Sequence, residues 1–245
     1  SRCRCHPWGN LQSRMTSVLV TRPAGQDQSI LSALERRGFT AISQPALVID
    51  VLPLPPSLHQ QLDALEENDL VIVVSANAVR ALRDSGSPLP ASATWLAVGQ
   101  ATARALAAEG LLAEVPDMGV NSEALLALPA TQQMAGRRAV ILAGEGGRDL
   151  LDVTLAERGA EVQSVALYRR TCDAGFAWPN THVDVVMVTS YEGWECIVNK
   201  VPPAIVVLAG SERIAARIRQ QYQGDVRAAR SPLDEDMFAA LESLS

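Results

Sequence analysis

The chain has 245 residues and a formal net charge of −6. That charge argues against a nucleic-acid partner, because nucleic-acid binding depends on basic surface, and no apolar run reaches the roughly 18 residues that a membrane span needs. Hydrophobic residues make up 48% of the chain and aromatic residues only 4%, which favours parallel strands buried under helices.

The predicted elements alternate between strands and helices. In the first half we expect strands at 18–20, 69–75, 94–98 and 113–115, extended chain at 40–51, and helices from 26 to a glycine cap at Gly38, at 58–65, 76–83 and 99–108, and from 121. In the second half we expect strands at 138–143, 183–189, 204–209 and 225–229, extended chain at 161–170, and helices at 149–158, 192–198, 212–221 and 233–244. This alternation predicts doubly wound α/β units with parallel sheets.

The two halves of this pattern are similar. Val18–Val20 and its glycine-capped helix are echoed by Val140–Leu142 and a helix that ends before Gly159, and Asp69–Ser75 is echoed by Asp184–Ser190. The repeat predicts two similar flavodoxin-like domains with a ligand cleft between them.

The extended segments follow the glycine-capped helix in both repeats, so we expect them to pair as a two-stranded hinge between the domains. The predicted layout is lobe 1 at 15–40 plus 171–245, lobe 2 at 52–160, hinge strands at 41–51 and 161–170, and a disordered leader at 1–14. A simple split at the midpoint of the chain is the competing layout.

The four cysteines do not indicate a disulfide framework. Cys3 and Cys5 lie in the leader, where no second pair of metal ligands follows them, and Cys172 and Cys196 are far apart. We therefore expect a reduced, cytoplasmic protein without a bound metal.

In doubly wound sheets, ligands lie outside the carboxyl ends of the strands. The strand-to-helix turns at those ends carry small or hydroxyl residues, and the free N–H groups of a helix start attract carboxylates and phosphates. The candidate binding residues in these turns are Arg22, Ser75, Asn77, Gln100, Ala101, Thr102, Arg148, Ser190, Gly193, Ser211 and Arg213. Helix capping alone is the alternative explanation for any single hydroxyl, and solvation at the surface is the alternative for each arginine.

Tyr168 is the candidate catalytic residue, because a phenol at the end of the second extended segment can donate a hydrogen bond or act as a weak acid. The alternative is an aromatic that packs between the lobes.

The glycines at 144, 146 and 147 lack the full dinucleotide-binding spacing and no P-loop is present. The histidines have no matched nucleophile, so nucleotide binding and nucleophilic catalysis are disfavoured.

Several stretches together resemble the uroporphyrinogen-III synthase family, in residues and in order. They are 18–23 (VLVTRP), 75–79 (SANAV), 98–103 (VGQATA), 115–117 (VPD), 121–126 (NSEALL) and 168–170 (YRR). The resemblance covers about Met15 to Leu244. It implies two α/β domains with a two-stranded connection and an enzyme that closes hydroxymethylbilane to uroporphyrinogen III, inverting ring D and losing water, with no metal or organic cofactor.

The resemblance also implies residue roles. The family's tyrosine corresponds to Tyr168, which would hydrogen-bond the departing hydroxyl, and its cleft hydroxyls correspond to Ser75, Thr102 and Ser190, with Ser211 where a related hydroxyl occurs. We expect a monomer, and a transient contact with the preceding deaminase of the pathway is left open. The rival hypothesis is a non-catalytic, two-lobed binding protein for an anionic small molecule, which would not need Tyr168.

Overall fold

The computed structural model describes residues 15–86, 89–147 and 149–244. The strands in these ranges are β1 (Ser17–Val20), β2 (Thr40–Ser43), β3 (Leu47–Val51), β4 (Leu70–Val73), β5 (Thr94–Ala97), β6 (Ala113–Glu114), β7 (Arg138–Gly144), β8 (Glu161–Cys172), β9 (Val185–Val188), β10 (Val206–Ala209) and β11 (Val226–Ala228). The helices are α1 (Gln28–Arg36), α2 (Leu58–Asp63), α3 (Ala76–Asp84), α4 (Gln100–Ala108), α5 (Ser122–Ala127), α6 (Leu150–Glu157), α7 (Tyr191–Ile197), α8 (Glu212–Ile218) and α9 (Asp234–Glu242). Gly38 and Gly159 follow α1 and α6 with φ of +81° and +93°, the left-handed conformation that a glycine C-cap supplies.

The chain folds into two compact units. Unit 1 contains the described parts of Ser1–Val48 and Thr171–Ser245, and unit 2 contains those of Ile49–Arg170. A division at the midpoint of the chain does not fit these bounds. The role of 41–51 and 161–170 as hinge strands stays a prediction.

Unit 1 is built on a five-stranded sheet of order β11-β10-β9-β1-β2, in which every pairing is parallel. One face packs on α1 and α9 through Ile30, Leu34 and Phe238. The other packs on α7 and α8 through Trp194 and Ile218. Helices on both faces explain why the strands are apolar throughout.

Unit 2 is built on a six-stranded sheet of order β3-β8-β7-β4-β5-β6. The neighbours from β8 to β6 pair in parallel. Alternate residues of β4 serve opposite faces, with Val71 packing against α2, α3 and α4 and Ile72 against α5 and α6. The predicted doubly wound α/β class is therefore confirmed for both units.

The two sheets share one spatial order. With β1 and β7 as the first strand of each repeat and β2 and β8 as the second, unit 1 reads 2-1-3-4-5, and so do the five strands from β8 to β6 in unit 2. This is the flavodoxin-like order, whose switch point lies between strands 1 and 3. The switch point of unit 1 therefore lies between β1 and β9, and that of unit 2 between β7 and β4.

The extended segment predicted at 40–51 is two strands in different sheets. β2 belongs to the sheet of unit 1, and β3 is a neighbour of β8 in the sheet of unit 2. Pro45 lies in the break between them and has no N–H to donate. The Gln44 and Ala46 amides donate to the Val20 and Thr21 carbonyls of unit 1.

The prediction that Cys172 and Cys196 are unpaired is wrong. Their sulfurs form a disulfide that joins the end of β8 to α7, across a sequence separation of 24. Both residues belong to unit 1. The pairing could not be read from spacing, because folding of the sheet and helix brings the two Cα atoms within 5.3 Å. The predictions for the leader, including Cys3 and Cys5, lie outside the described residues.

None of the helices within the described ranges has the length and apolar character that a bilayer span requires. The same part of the chain shows no cluster of three or more His, Cys, Asp or Glu residues suited to a metal ion.

Candidate active site

Serine hydroxyls cap three helices that follow the carboxyl ends of strands. Each serine has an extended backbone, and its Oγ accepts a hydrogen bond from the amide three residues further on, as an N-cap does. The distances are 3.2 Å from Ala78 N to Ser75 Oγ, 3.0 Å from Gly193 N to Ser190 Oγ, and 3.4 Å from Ile214 N to Ser211 Oγ. Capping uses an oxygen lone pair and leaves each hydroxyl its own hydrogen to donate. The capping role and a ligand role are therefore compatible.

Tyr168 and Ser75 meet at the switch point of unit 2. Tyr168 lies on β8, Ser75 follows β4, and β7 runs between these strands. The Tyr168 ring crosses the end of β7, and its hydroxyl lies 2.9 Å from Ser75 Oγ. Gly144 makes the crossing feasible, because a Cβ there would lie 2.6 Å from Tyr168 Cζ and 2.8 Å from the Tyr168 hydroxyl oxygen.

A β-bulge directs Tyr168 toward Ser75. Ala143 pairs with Ala166, but Gly144 pairs with Tyr168, so β8 has one extra residue at this point. Regular alternation would place Tyr168 on the same face as the exposed Ala166. The bulge instead turns Tyr168 to the buried face, beside Leu167 in the core of unit 2. Bulges of this kind commonly re-aim side chains beside active sites.

Tyr168 is only 3% exposed. Its ring packs with α3 and α4 residues in the apolar core of unit 2. Its hydroxyl is hydrogen-bonded to Ser75. Ser75 is half-buried, so it is the more accessible residue of the pair.

The predicted arginines have different surroundings. Arg22 donates to Asp234 at 2.6 Å and to the Pro232 carbonyl at 2.8 Å, and its side chain is 14% exposed. This partner inside unit 1 already compensates its charge. Arg213 is exposed and, among the described residues, has no ion pair. Arg148 lies outside the described residues.

Some of the remaining predicted residues are exposed, and others already have hydrogen-bond partners within the protein. Gln100 and Ala101 are exposed at the start of α4, whereas Thr102 is 3% exposed and its amide donates to the Gly99 carbonyl. Asn77 accepts a hydrogen bond from Arg80 at 3.0 Å. Gly193 is buried, and its N–H is used by Ser190. The structure therefore brings Tyr168 together with Ser75. Thr102 is buried, so the structure does not show it available to a ligand.

A cavity of about 350 Å³ lies beside the turn after β7. Its lining includes Gly144, Gly146 and the carboxylates Glu145, Asp149 and Asp152. Three acidic side chains make this space unfavourable for an anion, so we do not assign a polyanionic ligand to it.

Comparison with known proteins decides the family. The family model described as uroporphyrinogen-III synthase HemD matches residues 28–239. The uroporphyrinogen-III synthase of Salmonella typhimurium is 33% identical, over 92% of this chain and 100% of that protein. The chain belongs to the uroporphyrinogen-III synthase family. It is thus a lyase of tetrapyrrole biosynthesis with uroporphyrinogen-III synthase activity, and the resemblance seen in the sequence is confirmed.

Solved structures of uroporphyrinogen-III synthases share the fold. The protein from Helicobacter pylori has a TM-score of 0.63 at 15% identity, covering 94% of this chain and 100% of that one. A mutant of the protein from Thermus thermophilus has a TM-score of 0.58 at 22% identity, covering 93% and 98%. At these identities the likeness concerns the fold alone.

Sequence reasoning missed two features of this synthase site. Gly144 was considered only as part of a dinucleotide motif, although its lack of a side chain is what admits the Tyr168 ring. Val120, which is 74% exposed, lies over Gly99 at the start of α4, where a Cβ on Gly99 would be 2.8 Å from Val120 Cγ1. Gly144 ends β7, and Gly99 follows the end of β5 by two residues; a glycine in such a place is a signal that could have pointed to both contacts.

Proposed function

We propose that the chain converts linear hydroxymethylbilane to uroporphyrinogen III, inverting ring D and releasing water, without a metal or organic cofactor. The observation that carries the proposal is the Tyr168–Ser75 hydroxyl pair at the switch point of unit 2, in a chain of the uroporphyrinogen-III synthase family.

The chemistry requires little besides orientation and a donor for the leaving group. Loss of the terminal hydroxyl as water leaves an azafulvenium cation stabilised by the pyrrole nitrogen. Ring D attacks through its substituted α-carbon to give a spiro intermediate, which fragments and recombines through the other α-carbon to invert the ring. The substrate closes unaided to isomer I, so the enzyme has chiefly to hold it in the geometry that leads to isomer III.

Holding an octacarboxylate requires many hydrogen-bond donors. The hydroxyls of Ser75, Ser190 and Ser211 each retain a hydrogen after capping, and the exposed Arg213 adds a positive charge. These local donors support anion binding by a chain whose net charge is −6, because hydrogen bonds to charged groups are stronger than those between neutral groups. We assign carboxylate binding to Ser190, Ser211 and Arg213, and a hydrogen bond to the reacting end of the substrate to Ser75. Arg22 is a weaker candidate because Asp234 holds it.

Isomer analysis tests the proposal. Freshly prepared hydroxymethylbilane is incubated with catalytic amounts of the chain, the products are oxidised to porphyrins, and isomers I and III are separated by chromatography. We expect isomer III to dominate, whereas the protein-free control gives isomer I. Isomer I alone in the presence of the folded chain would contradict the proposal and favour the non-catalytic binding protein.

The proposal extends to the working form of the enzyme. We propose a cytoplasmic monomer, and we leave a transient contact with the preceding deaminase open. Light scattering at the concentration of the assay tests the monomer: a mass near 26.2 kDa is expected, and a stable dimer would overturn this part.

A further inference from the structure

The hydrogen bond between Tyr168 and Ser75 has a direction. The Tyr168 hydroxyl belongs to a residue that is 3% exposed, and within the described residues Ser75 Oγ is its hydrogen-bond partner. If Ser75 were the donor, the phenol hydrogen would remain buried without an acceptor, which is costly. Tyr168 is therefore the donor and Ser75 Oγ the acceptor.

This direction decides where the hydrogen of Ser75 goes. A serine hydroxyl has one hydrogen and two lone pairs. The Ala78 amide donates to Ser75 Oγ from 3.2 Å and the Tyr168 hydroxyl from 2.9 Å, so both lone pairs are occupied. The remaining O–H bond points away from α3 and from Tyr168. Ser75 is half-buried, so this hydrogen can meet a ligand at the carboxyl edge of the sheet.

We infer that Ser75 is the catalytic residue that contacts the departing hydroxyl, and that Tyr168 is a positioning residue that acts through Ser75. The inference rests on the proposed function. When the carbon–oxygen bond of the hydroxymethyl group breaks, its electron pair leaves with the oxygen and the pyrrole nitrogen supplies the pair that forms the azafulvenium. Ser75 donates a hydrogen bond to that oxygen, and a solvent proton completes the water molecule. The unsubstituted α-carbon of ring D returns one proton to solvent when it forms the final bond and the ring becomes aromatic again, which restores the balance.

Tyr168 contributes to this step in two ways. Its donated hydrogen bond fixes the rotamer of the serine hydroxyl, and it polarises the serine O–H bond, because hydrogen bonds in a chain strengthen one another. Gly144 belongs to the same arrangement, since the ring can reach Ser75 only over a residue without a side chain.

A double-mutant cycle tests the inference, with the initial rate of isomer III formation as the readout. We expect Ser75→Ala to lower kcat about 100-fold with little change in KM, and Tyr168→Phe to lower it roughly tenfold. Because Tyr168 acts through Ser75, the double variant should lie within about threefold of Ser75→Ala. Ser75→Thr, which keeps a hydroxyl, should restore most of the activity.

Two controls separate catalysis from helix capping. Asn121 caps α5 of the same unit with Oδ1 at 2.8 Å from Ala124 N, so Asn121→Ala removes a cap without removing the proposed donor and should leave kcat unchanged. Ser75→Gly removes the hydroxyl but keeps a tolerated N-cap residue, and should lose as much activity as Ser75→Ala.

A double variant whose loss is the product of the single losses would overturn the inference, as would a Tyr168→Phe defect larger than that of Ser75→Ala. Failure of the wild-type chain to form isomer III would instead refute the proposed function.

Discussion

Gly144 and Tyr168 fit together because Gly144 has no side chain. A Cβ at position 144 would lie 2.6 Å from Tyr168 Cζ, 2.8 Å from Cε2 and 2.8 Å from the hydroxyl oxygen. Real Cβ atoms do not approach a ring so closely, so any larger residue must displace the ring and with it the hydrogen bond to Ser75.

The first prediction follows from this contact. Gly144→Ala should reduce isomer III formation roughly as much as Tyr168→Phe, about tenfold, and should add little in a Tyr168→Phe background. Gly147→Ala is the matched control, because its Cβ would meet only the Gly144 carbonyl oxygen at 3.7 Å, an ordinary contact. Equal kcat values for Gly144→Ala and the wild type would contradict the positioning role.

The second prediction concerns the disulfide. Under denaturing, non-reducing conditions we expect iodoacetamide to leave Cys172 and Cys196 unmodified, and to alkylate both after reduction, as mapped by peptide mass. Because the bond closes a loop across a separation of 24 residues, reduction should lower the free energy of unfolding by roughly 3 kcal/mol. The Cys172→Ser/Cys196→Ser double variant should show no further change with reductant. Alkylation of both thiols before reduction would refute the disulfide.

The third prediction uses Asp69, whose side chain is 7% exposed and lies 2.7 Å from the Arg138 guanidinium. Burial alone would raise the pKa of Asp69, but hydrogen bonds from the Glu66 and Arg138 amides and from the Arg138 side chain outweigh it, so the pKa lies below its ordinary value. Its contribution to stability is therefore present above pH ~4, the unfolded-state value, and is lost as pH falls through the folded-state pKa.

Asp69→Asn should accordingly lower the free energy of unfolding by about 2 kcal/mol at pH 7, measured by urea denaturation. The difference from the wild type should shrink as pH falls below ~4. Asp225→Asn, in an exposed pair with Arg227, is the control and should change stability little. A difference that stays constant down to pH 2 would show that the ionised Asp69 is not the stabilising form.

The fourth prediction distinguishes the roles of Arg22 and Arg213, the two candidate arginines that the structure describes. Arg213→Gln should raise KM for hydroxymethylbilane severalfold with kcat unchanged, because it removes an exposed charge that binds a carboxylate in ground and transition states alike. Arg22→Gln should instead lower thermal stability, because it leaves Asp234 without its partner at 2.6 Å, and should affect KM less. Kinetics and thermal melting of both variants check the contrast, and a larger KM effect at Arg22 would reverse the assignment.

Much of the fold could be predicted from local pattern. β4 and β9 were recognisable as apolar runs flanked by an aspartate and a serine, and their similarity predicted that the two sheets share a plan, as the common strand order shows. Ser75 and Ser190 were predictable as helix starts because a hydroxyl before a helix is a local signal.

Other features depend on contacts that no local pattern encodes. The bulge at Tyr168 exists only in the pairing of β7 with β8, and the partner of Arg22 is 212 residues away. The bond between Cys172 and Cys196 likewise required β8 and α7 to be placed first. The proposal that Tyr168 acts through Ser75 rests on such tertiary contacts, because the bulge and Gly144 bring the Tyr168 hydroxyl to Ser75 Oγ.

The central claim is tested most directly by counting turnovers into the inverted isomer. The chain is mixed with a thousandfold excess of fresh hydroxymethylbilane, and isomer III is quantified over time at several protein concentrations. We predict many turnovers per chain, with an initial rate proportional to protein concentration. Isomer III that stays below one equivalent, or a product mixture that matches the protein-free control, would contradict the account.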